Sequence, residues 1–569
     1  MRRLRWKLLP QKPDLAHQLG QRMGLPSLFA QLLINRGVED EREAEEFLYP
    51  SLKGLKDPFL MKGMEEGVQR MIRAISRREK VLIFGDYDVD GITSTALLKI
   101  FLREAGLDPL HYIPSRLEEG YGLSAQAVKR AASMGVSLLV TVDCGITNFQ
   151  EVKLARETGM DVIIIDHHHP PALLPPTTAI INPLQKDCPF PFKGLAAAGV
   201  VFFFLMALRR TLREVGYWKR GEPNLKRMLD LVALGTVADI VPLIGENRTL
   251  VYFGLKELQE GRRPGIAALK EVSGLGPGEI DYGHVAFCLA PRINAGGRMG
   301  QEELGLRLLL AEDLQEARKI AMELELVNRE RQMREEEVYS QAKEMIQEME
   351  LGKGIVLSSH QWHPGVIGIV ASRIAEEFWR PTILISLSGD EGKGSARSIP
   401  EFHLYEGLKR CEEHLISFGG HRSAAGLKVL RERIPLLERA FDEAIREALG
   451  DEELLPTLYI DAEVELDEMD APFIQNLPLL APHGPANPRP LLSSRYDLII
   501  EEAKVVGKES LKLRVRDERK AFEVIGFGMG ELRESIPPKA KVAFSPSLEE
   551  WNGMKRLQLE LRALKWEGG

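Results

Sequence analysis

Lys80-Val81-Leu82-Ile83-Phe84-Gly85-Asp86-Tyr87-Asp88-Val89-Asp90-Gly91 is an apolar run that ends in alternating acids, and the chain repeats the device twice. Ser137-Leu138-Leu139-Val140-Thr141-Val142 runs into Asp143-Cys144-Gly145, and Asp161-Val162-Ile163-Ile164-Ile165 runs into Asp166-His167-His168-His169-Pro170. Short β-rich runs separated by helical stretches predict buried strands of a parallel sheet. Ligands bind at the C-terminal edge of such a sheet. An acid or imidazole closing each strand therefore gathers donors in one crevice, and hard oxygens with imidazole suit Mn²⁺ or Mg²⁺.

Alternate residues of extended chain share a face, so Asp86, Asp88 and Asp90 can converge on one cation. Gly91 lets the backbone turn away, and Thr93-Ser94-Thr95 can open a helix. Asp143 adds a carboxylate from the next strand, and Asp166 with His167 adds an acid and an imidazole. Asp239 closes the apolar helical stretch Leu231 to Ala238. This set suffices for two metals sharing a bridging aspartate, a geometry that activates water for phosphoryl transfer at a metal separation of ~3.5–4 Å. A lone acid after a strand is more often a turn or helix cap. It is the recurrence at every strand end that favours a site.

The chain has 569 residues, 44% of them hydrophobic, enough for several domains with real cores. A net charge of −8 excludes a global basic field but not a local basic groove. Cys144, Cys188, Cys288 and Cys411 form no CxxC pair, so neither a disulfide framework nor structural zinc is expected. The start, Met1-Arg2-Arg3-Leu4-Arg5-Trp6, lacks an apolar segment after its basic residues, so no signal peptide is expected. The expected location is the cytoplasm. Gly194 to Leu208 is the most apolar stretch; it falls short of the ~18–20 residues a membrane helix needs and reads as a buried helix.

The fold class reads as α/β. Residues 1–75 are an accessory helical region, with Asp40 to Leu48 at helical spacing and Tyr49-Pro50 as the stop. Residues 76–310 carry the strands and amphipathic helices of a βαβ parallel-sheet domain. Ala311 to Leu351 is charged and free of Gly and Pro until Gly352, and reads as one long connecting helix or two (311–351). Its Arg329, Arg331 and Arg334 are read as a solvated face in preference to a DNA-lining one. Residues 352–449 form a second α/β domain. After a linker, residues 456–569 alternate in short strands, with Asn552-Gly553 as a hairpin-turn signal, and read as an OB-like β-barrel. Lys508, Lys512, Arg514, Arg516, Arg519 and Lys520 lie near Phe522 and Phe527, the mixture with which OB folds bind single strands; a solvated strand over core phenylalanines is the equal alternative.

The motifs together resemble the DHH phosphoesterase superfamily. Asp86 to Gly91, Asp143-Cys144-Gly145, Asp166-His167-His168 and Gly235-Thr236-Val237-Ala238-Asp239 look like its four motifs in order. Arg292-Ile293-Asn294-Ala295-Gly296-Gly297-Arg298 and Ile113 to Leu123, which holds Arg116, resemble motifs of its RecJ exonuclease family. The second α/β domain resembles DHHA1 through Trp362 to Arg373, Gly394-Ser395-Ala396-Arg397-Ser398 and Gly419-Gly420-His421. Two stretches depart from the pattern. Gly296-Gly297 stands where alanines are usual, and Pro482-His483-Gly484-Pro485-Ala486-Asn487-Pro488 differs from PFGxGNP, which bears on the path of DNA over that edge and not on the chemistry.

The resemblance implies a 5′-to-3′ exonuclease on single-stranded DNA in recombination and repair, using two divalent cations, Mn²⁺ or Mg²⁺. It assigns Asp88, Asp90, Asp143, His167 and Asp239 as metal ligands, with Asp86 as a weaker one. His168 touches the scissile phosphate, Asp166 is a further catalytic residue, Arg292 and Arg298 bind that phosphate or its neighbour, and Arg116 binds the 5′ end. Asn294, His363, Arg373, Ser395, Arg397 and His421 are expected along the strand. No covalent nucleophile is needed, in keeping with the absence of GxSxG or a Walker-type loop. Expected partners are single-stranded DNA, a single-stranded-DNA-binding protein and a helicase, with no membrane, the protein acting as a monomer. Two alternatives stay open: a small-nucleotide phosphodiesterase or pyrophosphatase on the same scaffold, and a non-catalytic DNA-binding scaffold at replication forks.

Overall fold

The computed structural model describes residues 3–219, 221–551 and 554–566, with side chains outside 549–556. Its first sheet has five parallel strands in the order Leu110–Tyr112, Val81–Gly85, Leu138–Val142, Asp161–Ile165 and Ala179–Ile181. Period-2 alternation divides each central strand between two cores. Val81 and Ile83 pack with helices Met64–Arg77, Val89–Glu104 and Ala197–Glu214, whereas Leu82 and Phe84 pack with Ala125–Ser133 and Phe149–Glu157. Burial on both faces explains why these strands read as unbroken apolar runs. The stretch Gly194 to Leu208 enters helix Ala197–Glu214, with Phe202, Phe203 and Phe204 buried. Among the described residues no helix is long and apolar enough to cross a membrane.

A single helix, Leu314–Gln347, leaves this domain; its 34 residues span about 51 Å. Asp313 caps it by accepting from the Glu316 N–H at 2.8 Å. Arg329 and Arg334 pair one turn back with Glu325 and Glu330, both at 2.8 Å, and lie at the surface. Arg331 instead is buried, held by Asn328 and Glu335. The helix leads to a five-stranded sheet in the order Ser417–Gly420, Ala424–Leu430, Glu391–Arg397, Thr382–Ser388, Ile355–Ser359, antiparallel except for its last pair.

The C-terminal strands Lys539–Trp551, Leu498–Val506, Ser510–Arg516, Ala521–Gly526 and Met554–Lys565 pair in that order, and the last also pairs with the first, closing a barrel. Asn552-Gly553 lies outside the described residues. The barrel shares one core with the N-terminal helices Pro13–Met23, Ser27–Ile34 and Glu41–Leu48. The N-terminal region also contributes a strand, Arg5–Leu8, parallel to Thr457–Ile460.

One arginine fastens this composite unit to the first domain. Buried Arg248 donates all five of its N–H groups to carbonyls: Phe47 at 2.9 Å, Leu479 at 2.9 Å, Leu480 at 3.0 Å, Ala481 at 2.8 Å and Pro482 at 3.2 Å. Its guanidinium also stacks 3.9 Å from the Phe47 ring centre. Beside it, Leu243 N–H donates to Pro485 O at 2.7 Å, and Asn487 accepts from Arg36 at 2.8 Å. The divergent stretch Pro482 to Pro488 is therefore a joint between domains. Arg248→Met is expected to lower stability by at least about 3 kcal/mol, because buried acceptors lose charged donors. Urea denaturation followed by fluorescence checks this; an unchanged midpoint contradicts it.

Candidate metal centre and nucleic-acid interface

Each acid arrives by a distinct local device. Asp88 caps helix Val89–Glu104, one of its oxygens accepting from the Asp90 and Gly91 N–H groups at 3.0 and 3.1 Å. Gly91 is needed because a Cβ there would lie 2.5 Å from Asp86 O. Asp90 is buried and accepts from Ala197 and Ala198 N–H, at 2.6 and 2.9 Å, at the start of helix Ala197–Glu214. Asp143 follows its strand with φ at 62°, a left-handed conformation that aims the side chain into the crevice and is costly for a non-glycine residue. Asp239 sits at the C-terminal cap of Leu229–Ala238.

Asp166 is fully buried and accepts from the N–H groups of Ile146, His167 and His168 at 3.0, 2.7 and 3.0 Å, and from His168 Nδ1 at 2.8 Å. That network steers the two imidazoles. His167 Nε2 lies 3.2 Å from Asp143 Oδ1, 3.6 Å from Asp239 Oδ2 and 3.9 Å from Asp90 Oδ2. Donor atoms of Asp90, His167 and Asp239 fall within 4.8 Å of one another, as do those of Asp86, Asp88 and Asp143. The crevice thus brings together all six residues expected as metal ligands, with Asp143 adjoining both groups.

Three donors there, Asp86 Oδ1, Asp143 Oδ1 and His167 Nε2, are buried with no hydrogen-bond partner. Buried polar atoms are rarely left so. Burial first, and repulsion from neighbouring acids second, push Asp86, Asp143 and Asp239 well above the carboxylate range and Asp90 up to about 7. Burial and the charge of His168 lower His167 to about 4. Burial opposes the charged form of both His168 and Asp166, but their mutual hydrogen bond outweighs it, raising His168 to about 9 and lowering Asp166 to about 2. Crowded oxygens around one neutral imidazole, with partners missing, fit hard divalent cations.

Opposite this crevice stands a wall of cations. Arg116 lies over the Tyr87 ring at 5.1 Å. Arg298 is half-buried and donates to Gly365 O of the second domain at 3.3 Å. Arg397 donates to Ser395 Oγ at 3.1 Å. Desolvation, then repulsion by Arg116 among others, lowers Arg298 to about 9 and Arg397 to about 10. His421 is exposed and close enough to His168 and His169 for their charges to lower it further, after burial. His363 Nδ1 accepts from Gly365 N–H at 3.1 Å, beside Arg298's acceptor. Asn294 is half-buried on the same helix, Ala290–Arg298.

Other expected residues are engaged elsewhere. Arg292 pairs with Glu325 at 2.7 Å and donates to Cys288 O at 2.7 Å, and Arg373 pairs with Glu336 at 2.7 Å and stacks on Tyr339. On the barrel, Lys512 pairs with Glu523, Arg514 and Arg516 with Glu501, and Arg519 with Asp467. Phe522 packs on the core while Phe527 is exposed. Sequence reasoning passed over Tyr121, which donates to Asp143 O at 3.2 Å and meets His168 Nδ1 at 3.1 Å. Its only signal was its place in the Arg116 segment.

Residues 80–236 match the DHH family N-terminal domain, 351–447 the DHHA1 domain, and 460–563 the RecJ OB domain. The chain is 37% identical over 567 residues to the single-stranded-DNA-specific exonuclease RecJ of Bacillus subtilis, covering 98% of this chain and 70% of that protein. Against the protein of the same name from Dickeya dadantii it is 38% identical, covering 95% and 96%. Among solved structures, RecJ from Thermus thermophilus in complex with Mn²⁺ superposes with a TM-score of 0.85 at 31% identity, covering 100% of this chain and 80% of that one. The Mg²⁺ complex gives 0.79 at 29% identity, covering 100% and 79%.

Proposed function

We infer that this chain, which belongs to the RecJ family of the DHH superfamily, is a single-stranded-DNA-specific exonuclease that works with Mn²⁺ or Mg²⁺. The observation that carries the reading is the convergence of partnerless Asp86 Oδ1, Asp143 Oδ1 and His167 Nε2 opposite an arginine wall. Asp86, Asp88 and Asp143 would hold one cation and Asp90, His167 and Asp239 a second, with Asp143 shared. Bound there, such cations supply an acidified water and charge neutralisation at a phosphate.

The remaining roles follow from the side chains. His167, held near 4, stays neutral at physiological pH and keeps the Nε2 lone pair available as a ligand. His168, near 9, is an imidazolium and can donate to a nonbridging oxygen of the scissile phosphate. Asp166 orients it and balances its charge. Arg298, Arg116, Ser395 and Arg397 would take the terminal 5′ phosphate, arginine being suited to bidentate phosphate binding, and this gives the 5′-to-3′ direction. Asn294, His363, Arg373 and His421 would line the strand. For Arg292 we assign positioning: through Glu325 it keeps the arginine helix in register with the long helix. A cytoplasmic monomer acting with a helicase and a single-stranded-DNA-binding protein completes the proposal. The full set of acids argues against a non-catalytic scaffold, and the barrel and long helix argue against a small-nucleotide enzyme.

The test is digestion of single strands labelled at either end, with and without a 5′ phosphate, in Mn²⁺. Mononucleotides released from the 5′ end, none with chelator and few from a blunt duplex, are expected. Hydrolysis confined to dinucleotides or pyrophosphate would overturn the reading. Mn²⁺ is also expected to stabilise the fold, since it relieves the buried carboxylates: about 2.7 kcal/mol at 100-fold over Kd. Thermal melts with Mn²⁺ against chelator measure this; identical melting temperatures contradict it.

A further inference from the structure

Helix Ile367–Phe378 covers part of one face of the second sheet, and the alternation of strand Glu391–Arg397 places Lys393, Ser395 and Arg397 together on that face, with Lys393 at its exposed end. Ser395 and Arg397 belong to the arginine wall. Lys393 is one strand step beyond Ser395, about 7 Å along the chain. In the antiparallel register Lys393 faces Lys428 directly, with Ser386 on its other side and Ser417 beyond Lys428.

Two lysines directly opposite each other destabilise a sheet. Here both are exposed, and among the described residues neither has an ion pair or a side-chain hydrogen bond. The acid next along that face, Glu391, pairs with neither. The groups that bear on Lys393 are cationic: after burial, Arg116 and Lys428 lower its pKa. In the row between, Gly419 and Gly426 leave open space where side chains would stand, so a chain can approach the sheet there. The barrel handles its basic residues differently: Lys512, Arg514, Arg516 and Arg519 are each neutralised by an acid. An unneutralised lysine pair against an arginine wall is a site that lacks an anion.

We propose that Lys393 and Lys428 form a second phosphate subsite, which binds a backbone phosphate next to the one held at Ser395 and Arg397. The proposal rests on the single-strand exonuclease reading and extends it to residues of the second sheet. Two lysines, as mobile point charges, suit a backbone phosphate of any sequence, whereas the arginine fork suits a fixed terminal one. The subsite adds binding without touching the reacting atoms.

The test uses the full chain with chelator present, so that nothing is cut, and 5′-phosphorylated oligothymidylates carrying a single neutral methylphosphonate at successive linkages from the 5′ end. Fluorescence anisotropy gives Kd for the native protein and for Lys393→Gln/Lys428→Gln. The native protein should lose affinity several-fold when one of the first linkages is neutralised, and the double variant should lose that sensitivity. The slope of log Kd against log salt should fall by about 0.7 for each lysine removed. Removing the like-charge contact should leave the melting temperature unchanged or higher, which separates lost binding from misfolding. A methylphosphonate profile or salt slope the same in both proteins overturns the subsite. Failure of the native protein to digest single strands in Mn²⁺ overturns the exonuclease reading itself, a different result from the same preparation.

Discussion

Asp143→Ala should abolish hydrolysis of single-stranded DNA, with kcat down by about 10⁴-fold or more, the scale seen when a group central to a catalytic unit is removed. Asp143 adjoins both groups of ligands, within 4.8 Å of Asp86 and Asp88 donors and 3.2 Å from His167 Nε2. No other acid in the crevice occupies that shared place. Its left-handed backbone conformation shows what the fold spends to put it there. Binding of the strand should survive, because the arginine wall is built on other elements. Alanine takes φ near 62° less readily than aspartate, so the melting temperature of the variant is measured beside its cleavage to separate lost chemistry from lost fold. Single-turnover cleavage with saturating Mn²⁺, beside anisotropy on the same oligonucleotide, checks both halves. Cleavage within tenfold of native would remove Asp143 from the shared position.

His168→Ala should lower kcat by about 10²–10³-fold, the loss typical of removing one preorganised donor from a developing charge. The imidazolium is fixed by Asp166 at 2.8 Å and flanked by the Tyr121 hydroxyl at 3.1 Å. Asp166 keeps three backbone N–H partners in the variant, so the loop retains its shape. Mn²⁺ affinity should change little, since His168 is in neither proposed ligand group: its ring nitrogen, within 4.8 Å of donors of Asp143 and His167, is engaged by Asp166. Steady-state kinetics with a Mn²⁺ titration separates the two effects. A loss confined to metal affinity would make His168 a ligand.

What the sequence made legible follows from covalent adjacency. An acid that directly follows a buried strand must appear at that strand's end, so Asp86, Asp143 and Asp166 could be placed from the apolar runs alone. The long helix was legible because nothing in it breaks a helix before Gly352. Partners distant in the chain were not legible. Nothing in Arg5–Leu8 announces a partner at Thr457–Ile460, and Arg248 is an ordinary polar residue of helix Gly245–Glu260 until its five carbonyls are seen. The basic tail read as a potential DNA surface because its acids, Glu501, Glu523 and Asp467, lie on neighbouring strands or loops. Lys393 and Lys428 show the same limit: nothing in the sequence marked either, and only the register sets them against each other.

The central claim is that acids distant in sequence hold a pair of cations between them. Anomalous diffraction from crystals grown with Mn²⁺ tests it most directly. Two anomalous peaks about 3.5–4 Å apart are expected, with an Asp143 oxygen between them and His167 Nε2 on one. A single peak remote from Asp143, or none in the crevice at saturating Mn²⁺, would contradict it.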